Sequence, residues 1–265
     1  MSDLVYRLAI AAGKVALRSL DLRVRSQGAE HLPLAGPVVL ACNHVSFPDF
    51  VYVAQAVLGT GRRVRFLCRG DIWDSPAGPA MEAMRHVPVD REAPAAAYLR
   101  ARRLLRQGEA VCVFPEAGIS AAYAVRAMMP GAVALARETG APLVPVTVWG
   151  GQRLWSQKRA LDAPFPRPEA LRGLTVDVRL GEPWRVAPQD DLAEVTRRLG
   201  ATLQGTLDTL QRLPQHQPTG GVGAVAPNPP RRPRARARGF LRPGPDAALG
   251  RHPDLGSGAH LGWAV

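Results

Sequence analysis

The sequence predicts an α/β domain: a layered, mixed but largely parallel sheet flanked by helices, with an amphipathic helix before it and a disordered tail after it. Three observations lead there. Short apolar runs such as 37–42 (PVVLAC) and 111–114 (VCVF) alternate with longer segments of helical period. Several of those runs are apolar at every position, as expected when helices cover both faces of a sheet. Past Leu213 the composition shifts to Pro, Gly and Arg, and the apolar period ends.

The chain has 265 residues, enough for one medium-sized domain with extra segments. Residues 2–20 read as a helix. Arg7, Lys14 and Arg18 fall on one narrow stripe, and Leu4, Val5, Leu8, Ala11, Ala12, Val15 and Ala16 fill a wide apolar face away from it. That pattern suits a helix lying in a membrane interface; the alternative is a helix packed on the core with its charges in solvent. Strands are then expected at 21–26, 37–42, 64–68, 86–89, 111–114, 143–148 and 174–180. Helices are expected at 50–57, 77–85, 93–107, 130–139 and 190–212. The organisation is therefore an interface helix at 1–20, a folded domain at 21–213 and a Pro/Gly/Arg-rich tail at 214–265.

The formal net charge is +12. In the tail, seven arginines (Arg231, Arg232, Arg234, Arg236, Arg238, Arg242 and Arg251) face only Asp246 and Asp254, so the tail carries +5 and residues 1–213 carry +7. A surplus of that size favours an anionic partner, either a membrane surface or a phosphorylated substrate. Nucleic acid is the weaker reading, because no aromatic residues interleave with the run 231–238 (RRPRARAR). Cys42, Cys68 and Cys112 lie in apolar strand-like runs with no paired spacing, which reads as buried, reduced thiols rather than a disulfide framework. No apolar run reaches 18 residues, so no membrane-spanning helix is expected, and the N-terminus does not read as a signal peptide.

Four segments carry chemistry. Asn43-His44 directly follows the run 37–42, with Asp49 five residues beyond His44, after Pro48. A turn there can fold the carboxylate onto one imidazole nitrogen and leave the other free to take a proton; alone, the pair reads first as a structural His with a capping Asp. Next comes His86-Val87-Pro88-Val89-Asp90-Arg91. Arg91 offers a fixed cation for a phosphate, or half of a surface ion pair. The third segment is Phe114-Pro115-Glu116-Ala117-Gly118-Ile119-Ser120, a strand end running into small residues that let main-chain N–H groups approach a ligand. The fourth, Ala141-Pro142-Leu143-Val144-Pro145-Val146, is by itself a core strand.

Taken in order, the four segments resemble the conserved blocks of the lysophosphatidate (1-acylglycerol-3-phosphate) acyltransferase family, the glycerolipid acyltransferases, over roughly residues 20–185. That family has an Asn-His-x4-Asp block, a block ending in Arg, a Phe-Pro-Glu-Gly-Thr-Arg-Ser block and a Val-Pro-Val-like strand. The resemblance implies His44 as catalytic base and Asp49 as its orienting partner. It implies Arg91, Glu116, Gly118, Ser120 and Asn43 as acceptor-binding residues, and Pro145 near the acyl donor. Two departures stand out. Ala117, Gly118 and Ile119 occupy the positions of the family's Gly-Thr-Arg, so a phosphate-binding cation is missing, with Arg126 nearby in sequence. Arg85 stands where many members carry Gly.

The implied reaction is acyl transfer from acyl-CoA or acyl-carrier protein to the hydroxyl of lysophosphatidate, with no cofactor and no metal, by a peripheral protein on the cytoplasmic face of a membrane. Other lysophospholipid or glycolipid acceptors, and an inactive lipid-binding relative, are the alternatives. No Gly-x-Ser-x-Gly elbow, Gly-x-Gly-x-x-Gly turn, phosphate loop or metal-ligand spacing points to other chemistry. Ser46, inside the first block, reads as a polar loop residue.

Overall fold

The structure, a computed structural model, describes residues 2–90, 92–157, 168–169 and 172–217, with side chains from residue 5 onward. Among them the chain runs α1 (Ser2–Ser19), β1 (Arg23–Gln27), β2 (Val38–Cys42), α2 (Asp49–Val57), β3 (Val64–Arg69), α3 (Gly78–Ala83) and β4 (Val87–Val89). It continues through α4 (Pro94–Arg106), β5 (Ala110–Val113), α5 (Gly131–Thr139), β6 (Leu143–Trp149), β7 (Thr175–Leu180) and α6 (Leu192–Gln211). Every expected strand and helix is present, with ends shifted by no more than two residues.

The seven strands form one sheet in the order β1-β7-β6-β2-β5-β3-β4. The five strands from β6 to β4 are mutually parallel. β7 runs antiparallel to β6, and β1 runs parallel to β7, so one edge of the sheet is a reversed pair. The sheet is thus mixed and largely parallel. β2 sits near its centre, between β6 and β5, and all five of its residues are buried.

The two faces of β2 feed two different cores. Val38, Leu40 and Cys42 join Tyr52, Val53 and Phe66 under α1 to α3. Val39 and Ala41 join Leu105, Leu135, Leu199 and Leu203 under α4 to α6. This two-sided covering is the reason the strand carries no polar alternation. On α6 the leucines recur at positions 199, 203, 207 and 210, one helical face, and all are buried. Each such side chain contributes about 1.5–3 kcal/mol by leaving water. Asp191 caps that helix, its carboxylate accepting from the Ala193 N–H at 2.8 Å.

Helix α1 has three faces rather than the expected two. Tyr6, Ala9, Ile10, Gly13 and Leu17 point inward, with Leu17 buried and Gly13 close to Val51. Leu8 and Val15, with Ala11 and Ala12 between them, point to solvent, at 60% and 64% exposure for the two larger side chains. Arg7, Lys14 and Arg18 lie along the border. Core packing and an outward apolar strip therefore coexist, because the sequence is apolar over far more than half of the helix. Among the described residues no helix is long and apolar enough to cross a membrane. Cys42, Cys68 and Cys112 are buried and unpaired.

The expected domain edge at Leu213 falls short. Pro214–His216 forms a further helical turn, and the His216 side chain is only 1% exposed. Its Nε2 lies 2.7 Å from Asp177 Oδ2 on β7, and Gln215 donates to the same oxygen at 3.0 Å. The rest of the tail, 218–265, lies outside the described residues.

Candidate active site

The parallel strands β2 and β5 end side by side, and the segments that follow them build the site. Asn43 is the first residue past β2. It is fully buried; its side-chain amide donates to the Val148 carbonyl at 3.1 Å and accepts from the Val148 N–H at 2.7 Å. Expected among the acceptor-binding residues, Asn43 instead extends the β2–β6 ladder by one side chain and fixes where the next residue emerges.

That residue is His44. Its Nδ1 lies 2.9 Å from Asp49 Oδ2. The same oxygen accepts from the Val45 and Ser46 N–H groups at 2.8 Å each, and Asp49 Oδ1 accepts from the Ser46 hydroxyl. Asp49 opens α2 behind Pro48 and is fully buried, its cost of burial offset by these four bonds. An acceptor already facing two N–H groups requires Nδ1 to carry its proton, which leaves the Nε2 lone pair outward. Nε2 has no partner among the described residues, and the His44 side chain is 14% exposed. Phe114 stacks on the ring at 4.4 Å between centroids and holds its plane. Gly151 closes the back of the turn: a Cβ there would stand 2.5 Å from both Ser46 Oγ and the Tyr52 ring.

Glu116 belongs to the segment after β5. It is 2% exposed. One carboxylate oxygen accepts from the His44 N–H and the other from the Arg126 N–H, both at 2.8 Å. Burial pushes its carboxyl above the usual carboxylate range, and the two amides pull it back in part. With both oxygens occupied by main chain, Glu116 is a strut between two loops, a different task from the acceptor binding expected of it. Ser120 is likewise structural: its N–H donates to the His44 carbonyl at 2.7 Å, and its buried hydroxyl donates to the Ala124 carbonyl at 2.6 Å.

Gly118 is the member of this loop that meets a cation. A Cβ on it would stand 2.9 Å from Arg126 Nη1, so the missing side chain makes room for the guanidinium. Ile119 turns inward at 9% exposure. The two departures from the family blocks share one backbone feature: Ala117 has φ +61° and Arg85 has φ +58°, the left-handed region that favours glycine. Arg85 offsets part of that strain by donating to Glu109 and Gln107 at 2.6 Å.

Arg91 lies outside the described residues. Pro145 is buried inside the sheet, in register with Ala41, and its carbonyl accepts from Gly181 N–H at 2.8 Å. It packs in the core rather than on the site surface. Sequence reasoning missed three contributors: Phe114 as the stacking partner, the Ser46 hydroxyl on Asp49, and Gly151. Ser46 and Phe114 lay inside the quoted blocks; nothing local marked Gly151. Among the described residues no cluster of three His, Cys, Asp or Glu side chains could hold a metal ion. The chemistry on offer is proton abstraction by Nε2 from a hydroxyl that approaches the lip of the sheet.

Comparison with known proteins is consistent with this geometry. Residues 23–149 match the family model described as Acyltransferase. The chloroplastic 1-acyl-sn-glycerol-3-phosphate acyltransferase BAT2 of Brassica napus is 34% identical over 129 residues, 47% of this chain and 36% of that protein. The human 1-acyl-sn-glycerol-3-phosphate acyltransferase alpha is 29% identical over 141 residues, 52% of this chain and 49% of that one. The matches thus span half or less of those relatives. The crystal structure of the 1-acyl-sn-glycerophosphate (LPA) acyltransferase PlsC from Thermotoga maritima superposes with a TM-score of 0.64 at 20% identity, covering 80% of this chain and 82% of that one. That likeness establishes a shared fold.

Proposed function

We propose that this chain, whose residues 23–149 match the family model described as Acyltransferase, is an O-acyltransferase that moves a fatty-acyl group from a thioester carrier to the free hydroxyl of lysophosphatidate. The observation that carries the reading is the His44 Nδ1–Asp49 Oδ2 contact at 2.9 Å with Nε2 left open, inside the matched segment. The acceptor hydroxyl bonds to Nε2, and its oxygen attacks the thioester carbonyl as the imidazole takes the proton. Asp49 holds the tautomer and stabilises the imidazolium. The tetrahedral intermediate then collapses, the C–S bond breaks, and the imidazolium returns the proton to the leaving thiolate. The donor is acyl-CoA or acyl-carrier protein, used as co-substrate; no step here calls for a cofactor.

A membrane surface supplies such an acceptor. The outward strip Leu8, Ala11, Ala12 and Val15 on α1, bordered by Arg7, Lys14 and Arg18, suits peripheral docking on an anionic leaflet, the cytoplasmic face in this reading. An apolar slot between α1, α2 and β3 begins beside Phe50, the residue after Asp49, and includes Ile10, Val51, Phe66 and Met84; it offers a seat for part of an acyl chain.

The deciding experiment incubates the full chain with acyl-CoA or acyl-carrier protein and a panel of lysophospholipid, glycolipid and neutral acceptors, beside His44→Ala. Acylation of lysophosphatidate by wild type and its loss in the variant are the expected result. Full activity in His44→Ala would end the mechanism. Preference for a glycolipid or another lysophospholipid would move the assignment to acyl transfer onto that acceptor, the alternative that the apolar Ile119 favours.

A further inference from the structure

The loop after β5 has an apolar residue, Ile119, turned inward where the resemblance places an arginine. The same loop holds a different cation. Arg126 lies seven residues on, and three features single it out. Its N–H is bonded to Glu116, whose other oxygen holds the His44 N–H, so one carboxylate sets the spacing between the base and Arg126. Its Nη1 occupies the space above Gly118 that any side chain at 118 would fill. Its guanidinium is exposed and makes no hydrogen bond or ion pair among the described residues, whereas Arg65 and Arg85 are both paired with Glu109.

Arg126 also forms part of the wall of a cleft of about 630 Å³ that begins at Ile119 and Ser120 and includes Tyr123, Ser156 and Gln157. Among the described residues no acidic side chain lines that cleft. On the other side of Arg126 the groove against α6 is different: Asp191 lines it, and its second cation, Arg197, is engaged by Glu194 at 2.5 Å. A guanidinium over a small-residue loop, unpaired among the described residues and facing a cleft whose described lining holds hydroxyl and amide groups, suits an anion with several oxygens.

We propose that Arg126 is the specificity-determining residue of the acceptor site: it binds the phosphate of a phosphorylated lipid acceptor from the cleft beside Gly118, in place of the cation that Ile119 does not supply. This rests on the acyltransferase reading for its biological sense, but the contact itself can be measured without turnover. Lysophosphatidate and a monoacylglycerol of the same chain are titrated in mixed micelles against the full chain with no acyl donor. Arg126→Met is expected to weaken lysophosphatidate binding by about ten- to a hundredfold, the loss of a charge-assisted bond to an anion, and to leave the monoacylglycerol unchanged. Arg126→Lys is expected to recover part of the affinity, and all three proteins should melt alike. Unchanged lysophosphatidate affinity in Arg126→Met overturns the proposal, and so does an equal loss for both lipids. With acyl-CoA present, Arg126→Met should raise KM for lysophosphatidate and spare kcat. If wild type binds lysophosphatidate through Arg126 but acylates nothing, the catalytic reading falls while this assignment stands.

Discussion

Among the described residues two histidine–aspartate pairs occur, and they differ in what surrounds them. In the first, His44 presents Nδ1 to Asp49 at 2.9 Å and keeps Nε2 at the lip of the sheet, with the side chain 14% exposed. In the second, His216 presents Nε2 to Asp177 at 2.7 Å, and its Nδ1 is enclosed, with no partner among the described residues, in a side chain 1% exposed. Donor–acceptor distance does not separate them. Access to the second nitrogen does: the first imidazole can exchange a proton with something outside the protein, and the second can only tie the last turn of the domain to β7.

The contrast predicts opposite phenotypes. His44→Ala should lower kcat by about 10²–10⁴-fold with little change in melting temperature or vesicle binding; a steady-state assay beside a thermal melt checks both. Asp49→Ala should cost a similar factor, since nothing then holds the Nδ1 proton or stabilises the imidazolium. It should also destabilise the chain by about 1–3 kcal/mol, because the Val45 and Ser46 N–H donors lose their acceptor; denaturant unfolding reads that second loss. His216→Ala reverses the order, with about 2 kcal/mol of stability lost and turnover per folded molecule preserved. If His216→Ala proved inactive but fully stable, the distinction drawn here would be wrong.

A third histidine sharpens the point through pH. His86 accepts from the Phe66 N–H at 3.2 Å, and burial followed by the nearby Arg65 charge pulls its pKa down to about 4. The unfolded chain takes up that proton near pH 6.5 while the folded chain refuses it until about 4, so stability is full above 6.5 and declines as pH falls between those values. At pH 5 the loss is about 2 kcal/mol from this group. His86→Asn keeps an acceptor without the titration and should flatten the difference between melts at pH 7 and pH 5. The smallest expected effect is at Ala117, where φ is +61°. Ala117→Gly should stabilise by about 0.5–1 kcal/mol, offset in part by unfolded-chain entropy, and should leave kcat alone.

The elements were legible because they are local. Unbroken apolar runs mark β2, β5 and β6, and the leucine period marks α6, so each could be placed from its own residues. The His44–Asp49 turn was legible for the same reason, five residues being a local distance. What stayed hidden is contact between a side chain and distant main chain. The amides that occupy Glu116 lie 72 and 10 residues away, and an N–H group carries no residue signature. The bond between Asp177 and His216 spans 39 residues and falls where composition alone had already placed a tail. The third face of α1 was obscured by the excess of apolar residues, which fit a helical wheel in more than one way.

The Glu116 strut has a consequence for how such a protein diversifies. Because a single carboxylate accepts from the main chain at both His44 and Arg126, the interval between them is set by two hydrogen bonds within the fold and would not depend on a bound molecule. Under the proposed roles, replacements at 119 or 126 would alter which molecules are welcomed while His44 keeps its alignment.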